Sequence, residues 1–198
     1  MKIRALVVGF ILVASTTSAL AAGPYMGAGG GMTIIHDSDL ANPGLPTVSA
    51  EYDKGYAFNV NGGYNFDGFR LEGEFGYKHA NVNSISGPGG TFNISGGDAT
   101  FMSYMANGYY DIKAEPAITP FIGAGLGLIN GELNDNGHKA DDTVFGYQLI
   151  AGIGFNINKN VTIDISYRFQ GAASDLNVEG TDVSYKSSNL MAGVRYNF

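Results

Sequence analysis

Reading back from the last residue, Phe198, every second position is apolar: Tyr196, Val194, Ala192 and Leu190, separated by Asn197, Arg195, Gly193, Met191 and Asn189. A period of two puts alternate side chains on opposite faces of a strand, one face in an apolar medium and the other in a polar one. A soluble sheet seldom finishes on such a bare strand, because its unpaired edge recruits other edges. A barrel closed in a membrane has no edge to protect, and the alternation favours that architecture.

The same period recurs along the chain. In the first strand, Tyr25 to Ile35, Met26, Ala28, Met32 and Ile34 oppose Tyr25, Gly27, Gly29, Gly31 and Thr33. The second sets Tyr56, Phe58, Val60, Tyr64 and Phe66 against Ala57, Asn59, Asn61, Gly63 and Asn65. After an Asp67-Gly68 hairpin signal, the third places Phe69, Leu71, Phe75 and Tyr77 outward and Arg70, Glu72, Glu74 and Lys78 inward. The fourth, about 99–112, turns Met102, Tyr104, Ala106, Tyr110 and Ile112 outward, with Ser103, Asn107 and Asp111 inward. The fifth begins at Pro120-Phe121-Ile122-Gly123-Ala124-Gly125, which echoes Pro24-Tyr25-Met26-Gly27-Ala28-Gly29. Strands at 145–157 and 161–169 follow, and the eighth runs from about Lys186 to Phe198. The reading is all-β: an eight-stranded antiparallel up-and-down transmembrane β-barrel.

The connections alternate in length. Those after strands two, four and six are short, at Asp67-Gly68, 113–118 and 158–160, whereas 36–53, 80–98, 130–143 and 171–185 read as long loops. Short periplasmic turns and long external loops mark barrels of the bacterial outer membrane. The N-terminus agrees with export. Lys2 and Arg4 precede an apolar run from Ala5 to Val13, and Ala19-Leu20-Ala21 fits a small-x-small cleavage site. Residues 1–21 are therefore expected to be a signal peptide and residues 22–198 a single barrel domain, with no further domain after it. Removing Lys2 and Arg4 with the signal moves the net charge from −7 to −9, which excludes a nucleic-acid partner. The absence of Cys leaves no disulfide framework, and no cofactor or metal is expected.

The two faces carry different chemistry. Arg70, Lys78, Arg168 and Arg195 balance Glu72, Glu74, Asp111 and Asp164 on the inner face. An eight-stranded barrel is just filled by its side chains, so these charges are expected to pair with one another and with inner Asn and Ser as a polar plug. The inward glycines leave room for water, which keeps a narrow porin as the alternative. The long connections are acidic, with Asp37, Asp39, Glu51, Asp53, Asp98, Glu132, Asp135, Asp141, Asp142, Asp175, Glu179 and Asp182 against Lys54, Lys139 and Lys186. The run 134–142 is rich in oxygen ligands but lacks EF-hand spacing. A third possibility is a lipid-modifying enzyme using His with Ser. His79 lies outward near the external end of its strand, but positions 77 and 81 are Tyr77 and Asn81, and His36 and His138 read as undistinguished loop residues.

The signal, the paired Pro-aromatic-x-Gly-Ala-Gly segments, Asn107-x-x-Tyr110-Asp111 and the closing Arg195-Tyr196-Asn197-Phe198 resemble the OmpA-like β-barrel superfamily, particularly opacity-protein-related surface antigens. The resemblance implies surface structure or adhesion through the loops and no shared catalytic site. It also implies that Tyr196 and Phe198 form the signal read by the barrel assembly machinery. The expected partners are outer-membrane lipid and lipopolysaccharide, that machinery during biogenesis, and a host or surface ligand at the loops; the barrel is expected to be a monomer.

Overall fold

Asp67 and Gly68 take φ values of 63° and 107°, the left-handed backbone that lets a two-residue turn match the twist of its flanking strands. Gly55–Phe66 folds back there on Phe69–Gly87, pairing Asn65 with Arg70 and Tyr56 with His79. The computed structural model describes residues 22–36, 38–41, 48–52, 54–87, 90–112, 117–135, 138–174, 176–178 and 181–198. The expected signal peptide lies outside them. In chain order the strands are β1 Ala22–Ile35, β2 Ser38–Ala41, β3 Val48–Tyr52, β4 Gly55–Phe66, β5 Phe69–Gly87, β6 Gly90–Asp111, β7 Ile118–Asp135, β8 His138–Asn156, β9 Val161–Ala172, β10 Leu176–Val178, β11 Thr181–Val183 and β12 Lys186–Asn197.

Eight of them close on themselves, each antiparallel to its neighbours, in the cyclic order β1-β4-β5-β6-β7-β8-β9-β12. The closing ladder pairs Tyr25 with Asn197 and Ile35 with Ser187, and the Phe198 amide donates to the Pro24 carbonyl at 3.1 Å. Every wall strand thus has two partners, as a segment in hydrocarbon requires.

The long connections depart from the sequence reading. Much of what reads as loop is strand: β5 and β6 pair out to Gly87 and Gly90, β7 and β8 out to Asp135 and His138. From the end of β5 the ladder continues through β3, β2, β11 and β10, and β10 packs beside β8. Backbone pairing propagates along a hairpin without needing an apolar face, so the Asn-, Ser- and Gly-rich stretches 81–87 and 90–98 stay extended where their composition suggests a loop.

Burial alternates along the wall. Outward Phe145 and Leu126 are 70% and 71% exposed, with Phe58, Ile122, Leu149, Leu190 and Val194 also bare. Between the two rims, the described outward positions carry no Asp, Glu, Lys or Arg. A continuous apolar belt of this kind faces lipid, where a midplane cation would cost about 2–4 kcal/mol. Inward side chains build two apolar clusters: Tyr109, Phe121 and Ile150 near the short turns, and Ile35, Ala80, Ala99, Phe101, Ile129, Val144 and Tyr185 near the long hairpins.

Candidate functional site

At the turn end of the interior, Arg70 Nε and Nη2 donate to Asp111 Oδ1 at 3.0 and 2.8 Å. Both residues are buried, and the guanidinium carbon lies 4.4, 5.0 and 5.8 Å from the ring centres of Tyr109, Phe121 and Tyr25. The rings surround the cation with negative π faces, and the carboxylate neutralises it. Arg195 pairs with Asp164 at 3.2 Å and adds a second guanidinium 5.7 Å from the Tyr25 ring centre.

One turn further in, Glu72 has no guanidinium against it. Its carboxylate accepts from Tyr25 Oη at 3.0 Å, Tyr109 Oη at 2.8 Å, Asn61 at 2.6 Å and Asn107 at 3.2 Å. Glu74 forms an ion pair with Arg168 and accepts from Asn59 and Gln148, each at 3.2 Å. Lys78 donates to Gln170, which also accepts from Tyr185 Oη at 3.1 Å. The eight inward charges thus form three ion pairs, while Glu72 and Lys78 hydrogen-bond to neutral partners. Toward the hairpins, Tyr185 stacks on Phe101 with ring centres 4.3 Å apart, and burial pushes the Tyr185 phenol pKa up.

The inward glycines are largely filled by neighbours rather than open. A Cβ on Gly123 or Gly152 would lie 2.5 Å from the Tyr109 or Phe121 ring, and one on Gly125 2.0 Å from Asn107 Oδ1. Each large side chain lies across the glycine paired with it on the next strand. A cavity of about 30 Å³ persists beside Gly27, Gly29, Asn61, Asp164 and Arg195, and one of about 20 Å³ beside Asn59, Glu74 and Lys78. These volumes are on the scale of single water molecules.

The outer surface has a polar collar at the hairpin end. His36 Nε2 lies 2.8 Å from Ser188 Oγ, which lies 2.8 Å from Tyr167 Oη. The His36 amide donates to the Lys186 carbonyl at 2.9 Å. Two strands away His79 Nδ1 is 3.2 Å from Thr100 Oγ1, with its ring 5.2 Å from that of Tyr56. His36 is therefore not an undistinguished loop residue: barrel closure carries it to a serine 152 positions away. Imidazole beside hydroxyl is the first half of a nucleophile–base pair, but among the described residues no carboxylate orients His36. The side chains of His138, of the acidic run 134–141 and of most of the other acidic positions lie outside the described residues. At the opposite rim, Tyr196 and Phe198 project outward with rings edge to face, 5.1 Å between centres.

The family model of the outer membrane protein beta-barrel domain matches residues 5–198. The chain belongs to that family. Its fold, a closed eight-stranded barrel, and its place in the bacterial outer membrane follow from the membership and from the apolar belt. As an outer-membrane barrel, it is similar to the outer membrane protein PagN of Salmonella typhimurium, at 30% identity over 48% of this chain and 49% of that one. The matched region thus spans about half the length of PagN. A putative adhesin of Rickettsia conorii, RC1281, is 27% identical over 72% of this chain and 67% of that protein. Among solved structures, the Neisserial surface protein A (NspA) superposes with a TM-score of 0.63 at 21% identity, covering 90% of this chain and 99% of the other. That likeness concerns the fold.

Proposed function

We propose that this outer-membrane barrel is a monomeric surface-display protein with a structural or adhesive role, binding a host or surface ligand through its hairpin end and performing no chemistry. The supporting observation is a contrast between interior and wall. The bore is packed from the Arg70–Asp111 pair to the Phe101–Tyr185 stack, whereas β5 and β6, at 19 and 22 residues, far exceed the 12 residues of β4 and β9. At about 3.3 Å per residue, that excess carries the wall well beyond the apolar belt, where the acidic segments could meet a partner. The relative named a putative adhesin favours the same reading.

Loop exchange tests it. Replacing residues 38–52 with a short Gly/Ser connection should leave a heat-modifiable, membrane-inserted barrel but abolish attachment of expressing cells to host surfaces. Unchanged attachment after each long hairpin is replaced in turn would remove the adhesive reading. A steady single-channel current from the purified wild type would favour a narrow porin, and altered lipid A in expressing cells would favour a lipid-modifying enzyme.

Tyr196 and Phe198 serve, in the same proposal, as the assembly signal for the barrel assembly machinery. Deleting Phe198 should reduce outer-membrane insertion without weakening ligand binding by the molecules that do insert. Normal insertion of the truncated chain would sink this part.

A further inference from the structure

Within the apolar belt every wall strand is paired on both sides, but the hairpin end is built on other strands. There β5, β6, β7 and β8 run on without β4, β1, β12 and β9, and β3, β2, β11 and β10 take the vacated side. Ladders join β5 to β3, β3 to β2, β2 to β11 and β11 to β10. The remaining side is not sealed in this way. β10 lies beside β8, yet among the described residues no ladder joins the two.

This seam leaves one edge of β8 without a strand partner. The ladder to β9 ends at Gly146 with Ala172, and one more bond follows, from the Ala173 amide to the Phe145 carbonyl at 2.8 Å. In an antiparallel strand the amide and carbonyl of one residue point to the same side. Thr143, Asp141 and Lys139 share the parity of Phe145 and so turn theirs toward β10, while the residues between them face β7. The cover over this edge is slight. β10 and β11 have three residues each, and among the described residues their hairpin is tied to β2 through Asp182 with Ala41 and Val183 with Leu40. Its base is firm, because the Tyr185 carbonyl accepts from the Ala172 amide at 2.9 Å and the Tyr185 ring stacks on Phe101. So short a hairpin opens at low free-energy cost, and it swings from a fixed base that keeps the bore closed.

An open strand edge is completed by another extended chain through main-chain hydrogen bonds. Charge selects which chain. Glu132 and Asp135 on β7, Asp141 and Asp142 on β8 and Asp182 on β11 outnumber Lys139. A second copy of this chain would bring like charges together, whereas a basic segment is attracted. We propose that the outer edge of β8 is a docking site for an extended, basic polypeptide segment, which displaces the β10–β11 hairpin and pairs with Lys139, Asp141 and Thr143 as an added strand. The inference rests on the adhesive reading above and gives its partner a chemical class and a binding mode.

Fluorescence anisotropy on the full chain in lipid nanodiscs tests it, with a labelled Lys-Val repeat peptide as the probe. Wild type should bind this peptide at least about tenfold more tightly than a Glu-Val repeat, and than the Lys-Val peptide N-methylated at alternate amides. N-methylation keeps the charge and removes the donors that a ladder needs. The chain has no Cys, so Leu40→Cys with Val183→Cys fastens the hairpin through a single disulfide. Oxidised, this variant should lose binding, and dithiothreitol should restore it. Replacing residues 176–183 with a Gly/Ser link removes the cover and should tighten binding. Heat-modifiability on a gel verifies folding of each variant. No binding by wild type, equal binding of the Glu-Val or the N-methylated peptide, or unchanged binding in both variants overturns the proposal, and the hairpin is then only a protective cover. Peptide binding to the purified chain is scored apart from attachment of cells, so this inference and the adhesive reading fail separately.

Discussion

The two ends of the bore are closed by opposite chemistry. At the turn end a buried guanidinium is held by Asp111 and three aromatic rings; at the hairpin end the closure is aliphatic and aromatic, from Ile35 through Ile129 to Val144. The difference follows from what each end must do. A charged plug needs fixed partners, and the register around the Asp67-Gly68 turn supplies them by setting Arg70 opposite Tyr109 and near Asp111. An apolar plug needs only volume, which suits an end where four strands of 18 to 22 residues continue outward beside four of 12 to 14.

The sharpest way to break the comparison is Arg70→Ala. It strands Asp111 in the interior, and stability in lipid vesicles should fall by about 3–5 kcal/mol in urea unfolding. Adding Asp111→Ala should recover part of that loss, the mark of a charge left alone rather than of lost volume. Ile129→Ala at the other plug should cost about 2–4 kcal/mol, insensitive to salt and without rescue by any second charge change. In planar bilayers each single variant, and the Arg70→Ala, Ile129→Ala pair, should remain non-conducting, because Glu72, Glu74, Arg168 and Gln148 still fill the bore between the two plugs. A current from either single variant would show that one plug alone seals the barrel. The smallest effect concerns the turn that sets the register: Gly68→Ala, at a φ of 107°, should cost about 1 kcal/mol and be read as a modest shift in the urea midpoint.

Period-two alternation makes the two faces of each strand legible in the sequence. It placed Arg70, Glu72, Glu74 and Lys78 on one side of their strand and Phe69, Leu71 and Phe75 on the other, because each strand separates two media. Parity also carried a signal for Tyr109, which shares the inward face of Asn107 and Asp111 and supplies both a hydrogen bond to Glu72 and a ring to Arg70. The reach of the hairpins was not legible, since beyond the bilayer both faces meet water and alternation disappears. The His36–Ser188 contact was hidden for another reason. It depends on the register of β1 against β12, a relation between the two ends of the chain that no local window contains.

That ladder between β1 and β12 also has a consequence in time. Until Lys186–Asn197 has been made and exported, one side of Ala22–Ile35 has no partner, and every open amide and carbonyl placed in hydrocarbon costs several kcal/mol. The first strand to leave the ribosome must therefore wait for the last. Left to itself the barrel cannot be completed strand by strand behind the moving chain: the edge of β1 stays open until β12 closes on it.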